Sequence, residues 1–210
     1  MSSRPLPPGT NPAPSDLPPG ARRSHALENI SACLHATPGL QVFDFGGINQ
    51  PNLDYVTSLG HRIYAENLML AFDYYFSQQE VASRQFAPER IEQFLDQTFD
   101  FDDQSGDVAF VWDTLQFLPP QIAEGVLVRL HRALAPDALV MAFFHPDNAG
   151  PAAPQVCRIL DDRHLQLSAR PHTRPIVPFS TRSIENFFQQ FQSVKFFLTR
   201  ENVQEVIAKR

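Results

Sequence analysis

The sequence predicts an α/β protein: a doubly wound, mostly parallel sheet closed by an antiparallel C-terminal hairpin. Three observations predict it. Residues 40–47 are an apolar run that ends in Asp44 and Gly46-Gly47; a helix-like segment follows, then Gly60 and a second short apolar run closed by Glu66. That order is strand, tight turn, helix, strand, the unit from which parallel sheets are built, with ligands at the carboxyl ends of the strands. Residues 108–112 and 138–144 are continuous apolar runs, as expected of strands buried on both faces, and they end at Asp113 and His145. Residues 193–198 and 203–208 flank a turn at 199–202, which reads as an antiparallel pair.

Residues 1–20 hold seven prolines and two leucines, so they predict a disordered tail ahead of one domain at 21–210. From Ala21 the spacing of Ala26, Leu27, Ile30, Cys33 and Leu34 predicts a helix that stops at Pro38-Gly39. Pro51 suits the first turn of the next helix, with Asn49 or Gln50 as its cap and Leu53, Val56 and Leu59 on its sheet side. A second strand at 61–65 follows Gly60. Residues 68–97 predict two helices, the later one opened by Pro88 and carrying Ile91, Phe94 and Leu95. The third strand that such a sheet wants is reduced to 98–101. Pro119-Pro120 opens a helix with Ile122, Val126, Leu127, Leu130 and Leu134 on one side, closing near Pro136. Residues 155–170 alternate about Asp161-Asp162-Arg163 and predict a hairpin, inside an insertion at 146–178 expected to lie over the cleft. Ser180 or Thr181 caps a last helix bearing Ile184, Phe187, Phe188 and Phe191.

The formal charge of -6 argues against a nucleic-acid groove, where phosphate neutralisation dominates binding. The charge is uneven: residues 158–210 hold nine Lys/Arg against five Asp/Glu. The two cysteines, Cys33 and Cys157, supply neither a disulfide framework nor a zinc site. No apolar run reaches the roughly 18 residues of a membrane span, and the proline-rich start lacks a signal-peptide core, so a cytoplasmic setting is expected. The oligomeric state stays open.

Two segments carry a family resemblance. Residues 106–120, Gly-Asp-Val-Ala-Phe-Val-Trp-Asp-Thr-Leu-Gln-Phe-Leu-Pro-Pro, are similar to the fourth strand and following turn of class I S-adenosylmethionine-dependent methyltransferases, a Rossmann-like family. Residues 130–138 resemble that family's helix end and turn into strand five. The resemblance covers about residues 40–145, and the last 30 residues agree with it in topology.

The resemblance implies S-adenosylmethionine as cofactor and a methyl acceptor that is a small molecule or a protein. The family's first turn sets an acid before a glycine series, so that bare backbone approaches the methionine part of the cofactor. Asp44, Gly46 and Gly47 match it, while Ile48 and Gln50 stand at the next two glycine positions. Glu66, 22 residues after Asp44, falls where the family's acid binds both ribose hydroxyls. Asp96 matches best as the adenine reader after strand three, with Phe99 and Asp100 as alternatives. Asp113 opens onto the cleft after strand four, facing cofactor or acceptor. His145, after strand five, is the candidate general base, since an imidazole titrates near neutrality. The opposing reading is a catalytically inactive, methyltransferase-like binding or scaffold protein. The substituted glycines and the weak third strand support it.

Overall fold

The computed structural model describes residues 17–145, 150–199 and 203–210. The proline-rich stretch of residues 1–16, the Pro146-Asp147 turn and most of the last hairpin's turn lie outside the described residues.

Six strands form the main sheet: β2 (Gln41–Asp44), β3 (Arg62–Ala65), β4 (Gly106–Trp112), β5 (Leu134–Phe144), β8 (Ser193–Leu198) and β9 (Gln204–Lys209). Their order is β3-β2-β4-β5-β9-β8. The first four run parallel, and β9 joins β5 antiparallel with Phe144 opposite Gln204 and Val140 opposite Ala208. Burial follows from the sequence pattern: Val108, Ala109, Phe110 and Val111 of β4 and Val140, Met141, Ala142 and Phe144 of β5 are fully enclosed.

A second, three-stranded antiparallel sheet contains β1 (Ala21–Arg23), β7 (His164–Ala169) and β6 (Gln155–Ile159), in that order. The helix expected from Ala21 therefore starts later. In α1 (His25–Ala36) the Ser24 hydroxyl accepts the Leu27 amide and sets the first turn, while residues 21–23 pair with β7. Residues 68–97 contain three helices rather than two: α3 (Leu68–Tyr75), α4 (Gln78–Ser83), opened by a Ser77/Glu80 capping box, and α5 (Pro88–Thr98).

The third strand sought at 98–101 is not formed. Thr98 closes α5, and Phe99 and Phe101 turn into the core instead, Phe101 stacked on Phe43 at 4.2 Å and Phe99 beside Phe45 at 5.0 Å. Burying two rings wins over extending a polar Asp100-Asp102 edge, and β3 becomes the sheet margin. The helix α6 (Pro120–Ala133) passes straight into β5 at Leu134, so Pro136 lies in a strand and not at a helix end.

One face of the sheet carries α1, α2 (Gln50–Ser58) and the small sheet, through Leu27, Ile30, Val56, Cys157, Ile159 and Leu165. The other carries α3, α5, α6 and α7 (Thr181–Phe187), through Phe72, Phe94, Leu127, Leu130 and Ile184. The carboxyl ends of β2, β3, β4 and β5 thus open beneath β6.

Candidate ligand-binding cleft

The turn after β2 is shaped from within by Asp44. Its carboxylate is 1% exposed and fully engaged. Oδ1 accepts the Gly46 amide at 2.9 Å and the Trp112 indole N–H at 2.6 Å, and Oδ2 accepts the Asn52 side-chain amide at 3.0 Å. Burial pushes this carboxyl up from the ordinary range, and the three donors oppose the shift. Asp44 is therefore a shaping group, with no oxygen left for a ligand.

Trp112 ends β4 with a φ of +56°, a left-handed conformation that swings its indole off the strand and against Gly46. A Cβ at Gly46 would meet the indole at 2.7 Å, so only glycine fits there. Gly47 has a φ of +92° and donates its amide to the Glu66 carbonyl at 3.1 Å. The Glu66 amide in turn donates to the Asp44 carbonyl at 2.8 Å, and Glu66 Oε1 accepts the Asn67 amide at 2.8 Å. These bonds lock the two turns into one floor.

The roof is β6. Asn52, 1% exposed on the first turns of α2, donates to the Cys157 carbonyl at 3.1 Å and accepts the Ile159 amide at 2.8 Å. Asn49 occupies the cap position expected of it, but its side chain donates to the Cys157 carbonyl instead of capping the helix. Arg170, just past β7, reaches down to the Gly46 carbonyl at 3.1 Å. At the hairpin's far end Tyr55 donates to Asp162 at 2.8 Å. Floor and roof enclose a cavity of about 520 Å³ lined by Gly46, Gly47, Asn67, Trp112, Arg158 and Arg170, among others. Ile48 and Gln50 line it too: Ile48 is exposed, and Gln50 bonds Asp54 along the helix.

The remaining residues singled out from the sequence fall in three places. Glu66, half-buried, directly precedes Asn67 but is not itself among the residues lining the cavity. Asp113 and His145 lie together at the ends of β4 and β5, with His145 Nε2 4.0 Å from Asp113 Oδ2, an oxygen that also accepts the Gln155 amide at 2.8 Å. Asp96 lies apart: on α5 it pairs with Arg129 at 2.7 Å, on the surface between α5 and α6. It is not among the cavity's residues, and the missing third strand is the reason, because that strand would have turned this segment toward the cleft.

Sequence reasoning missed Asn52, Arg158, Arg170 and Gln116. Gln116 is buried after β4; its Oε1 accepts the His145 amide at 2.8 Å and its Nε2 has no hydrogen-bond partner. The His145 Nε2 is likewise buried without one. Two enclosed polar nitrogens next to a carboxylate form a polar notch that a ligand or water would satisfy. Among the described residues no group of His, Cys, Asp and Glu is arranged to hold a metal, and no helix is long and apolar enough to cross a membrane.

Cys157 reports on the roof. Burial lifts its thiol well above the ordinary value, and the carboxylates of Asp113 and Asp44 push the same way. Because the thiolate is the reactive form, Cys157 should label with iodoacetamide at about pH 8 at least a hundredfold more slowly than in urea-unfolded chain. Rapid labelling of the native protein, read by peptide mass, would mean that β6 lifts away.

No protein-family model matches the chain, and no curated protein matches it in sequence. Solved structures do. A S-adenosylmethionine-dependent methyltransferase from Mesorhizobium loti superposes with a TM-score of 0.51 at 13% identity, over 89% of this chain and 99% of that one. A methyltransferase from Aquifex aeolicus gives 0.48 at 14% identity, over 87% and 88%. The Burkholderia thailandensis 1,6-didemethyltoxoflavin-N1-methyltransferase, solved with S-adenosylhomocysteine, gives 0.47 at 15% identity, over 89% and 78%. The chain therefore has the α/β fold of class I S-adenosylmethionine-dependent methyltransferases, with a mostly parallel sheet and an antiparallel final pair.

Proposed function

We propose that the protein is an S-adenosylmethionine-dependent methyltransferase acting on a small-molecule or protein acceptor. One observation carries this reading: the Gly46-Gly47 turn after β2 and Asn67, just past β3, line one cavity at the carboxyl ends of these strands, and Glu66 directly precedes Asn67. The cavity's size falls within the roughly 300–1,000 Å³ of small-molecule sites. The residues fit the cofactor. Gly46 and Gly47 line the space for its methionine part, with Trp112 and Asn67 packed where their side chains would be, and Glu66 keeps one carboxylate oxygen outside its bond to Asn67 for the ribose hydroxyls.

When bound, the cofactor supplies an electrophilic methyl group on a sulfonium, for which alignment provides much of the catalysis. The chain's own part is to align and exclude water. β6 roofs the site, Gln116 fixes the backbone of His145, and His145 beside Asp113 takes a proton from the acceptor's nucleophilic atom. The two free cysteines suit a reducing, cytoplasmic setting.

Trp112 favours a second reading, because its indole occupies the space against Gly46 and narrows the approach to the turn. In that reading the fold is kept as a binding or scaffold protein. Calorimetric titration with S-adenosylhomocysteine separates the two. The expected result is low-micromolar binding that Glu66→Ala weakens by about tenfold or more, the loss of one or two hydrogen bonds to a charged group. No heat at about millimolar ligand, with the fold intact by circular dichroism, leaves the second reading.

A further inference from the structure

Two arginines of the roof face the cavity without a carboxylate. Arg158 projects from β6 and lines it, and Arg170 follows β7 and lines it too. Arg170 spends one N–H on the Gly46 carbonyl, while its Nε is buried with no hydrogen-bond partner. Neither forms an ion pair among the described residues. Elsewhere in this acidic chain arginines find acids readily: Arg23 with Glu28, Arg129 with Glu92 and Asp96, Arg132 with Asp103, Arg174 with Asp73. Two carboxylates nearby are engaged, Asp44 by Trp112, Asn52 and the Gly46 amide, and Asp113 by the Gln155 amide. Asn49 leaves the start of α2 uncapped by a side chain, and the helix adds a weak positive end to the same wall.

We propose that this part of the cavity binds an anion, the carboxylate or phosphate group of the methyl acceptor, held by the guanidinium groups of Arg158 and Arg170. The proposal rests on the methyltransferase reading for the word acceptor, but the anion site stands on its own geometry. Guanidinium groups bind planar or tetrahedral oxyanions through paired N–H donors, and such charge-assisted bonds are about twice as strong as neutral ones. Both arginines come from the β6–β7 segment, so the roof selects the ligand while the floor, through Glu66, serves a different part of the site.

The test titrates the full chain with inorganic phosphate and, separately, benzoate, each with and without saturating S-adenosylhomocysteine. At least one anion should bind saturably with a dissociation constant near or below about 1 mM, and which of the two binds tells phosphate from carboxylate. Arg158→Gln and Arg170→Gln should each weaken it by about tenfold, and Arg158→Gln should leave the affinity for S-adenosylhomocysteine unchanged. Arg158 is exposed, so Arg158→Gln keeps the test valid if Arg170→Gln unfolds. No saturable binding of either anion at about 20 mM overturns the proposal, and so does binding that is unaltered in Arg158→Gln. If both anions compete with S-adenosylhomocysteine and the arginine variants lose it too, the arginines serve the cofactor's carboxylate and the proposal also falls. Anion binding that survives where S-adenosylhomocysteine fails to bind overturns only the methyltransferase reading.

Discussion

Asn52→Ala should lower stability by about 3–5 kcal/mol, read as the shift in the urea midpoint at unchanged slope. Asn52 is 1% exposed and makes three bonds from one side chain: to Asp44 Oδ2, to the Cys157 carbonyl and from the Ile159 amide. Removing it strips a buried carboxylate of a donor and leaves a buried amide unmatched, and each unmade buried bond costs about 1–3 kcal/mol. The charged oxygen carries the most, because desolvation already opposes ionised Asp44. Asn52→Asp should be worse at neutral pH, setting a second carboxylate against Asp44, and should recover partly as acid neutralises one of the pair. The same substitutions should loosen the roof and speed Cys157 alkylation. A cost under about 1 kcal/mol for Asn52→Ala would mean that α2 and β6 are held together by apolar contact alone.

That one asparagine joins floor to roof was not legible in the sequence, and the reason is general. Sequence pattern reports burial and local conformation, which is why the enclosed strands β4 and β5, a cap at Ser180 or Thr181, the 155–170 hairpin and the final antiparallel pair could be read from runs, caps and alternation. It does not report which distant segment a buried polar side chain meets. Asn52 looks like any polar residue on the first turns of a helix. Arg170 looks like a loop cation. Ala21–Arg23 adjoins a helical pattern, and only its pairing with β7, far along the chain, makes it a strand.

The site was legible in part for the same reason. Asp44, Gly46, Gly47 and Glu66 lie within one local unit whose geometry the chain order dictates, and the structure brings them to one floor. Asp96 depended on a third strand that Phe99 and Phe101 do not form, since two rings in the core outweigh four residues of edge strand. Trp112, the last residue of an apolar run, reads as core. It is buried, but its positive φ also makes it a wall of the cavity, and nothing in residues 106–112 signals that turn.

Gly106→Ala should cost the fold about 3 kcal/mol or more. Gly106 opens β4, and a Cβ there would sit 2.2 Å from Cε2 of Phe43 and 2.8 Å from two further ring atoms. Phe43 cannot retreat. It is fully buried in β2, stacked on Phe101 at 4.2 Å and met edge-on by Phe45 and Tyr64. Its displacement would disturb the packing that stands in for the third strand. The cause can be isolated by shrinking the ring: Phe43→Leu alone should cost about 2–3 kcal/mol through lost contact and volume. In the double variant the new methyl enters the vacated space, so the two costs should fall short of their sum by at least about 1 kcal/mol. Additive losses would show instead that Gly106→Ala harms β4 through its backbone, at the register shift between Gly106 and Val108, and that Phe43 is a bystander.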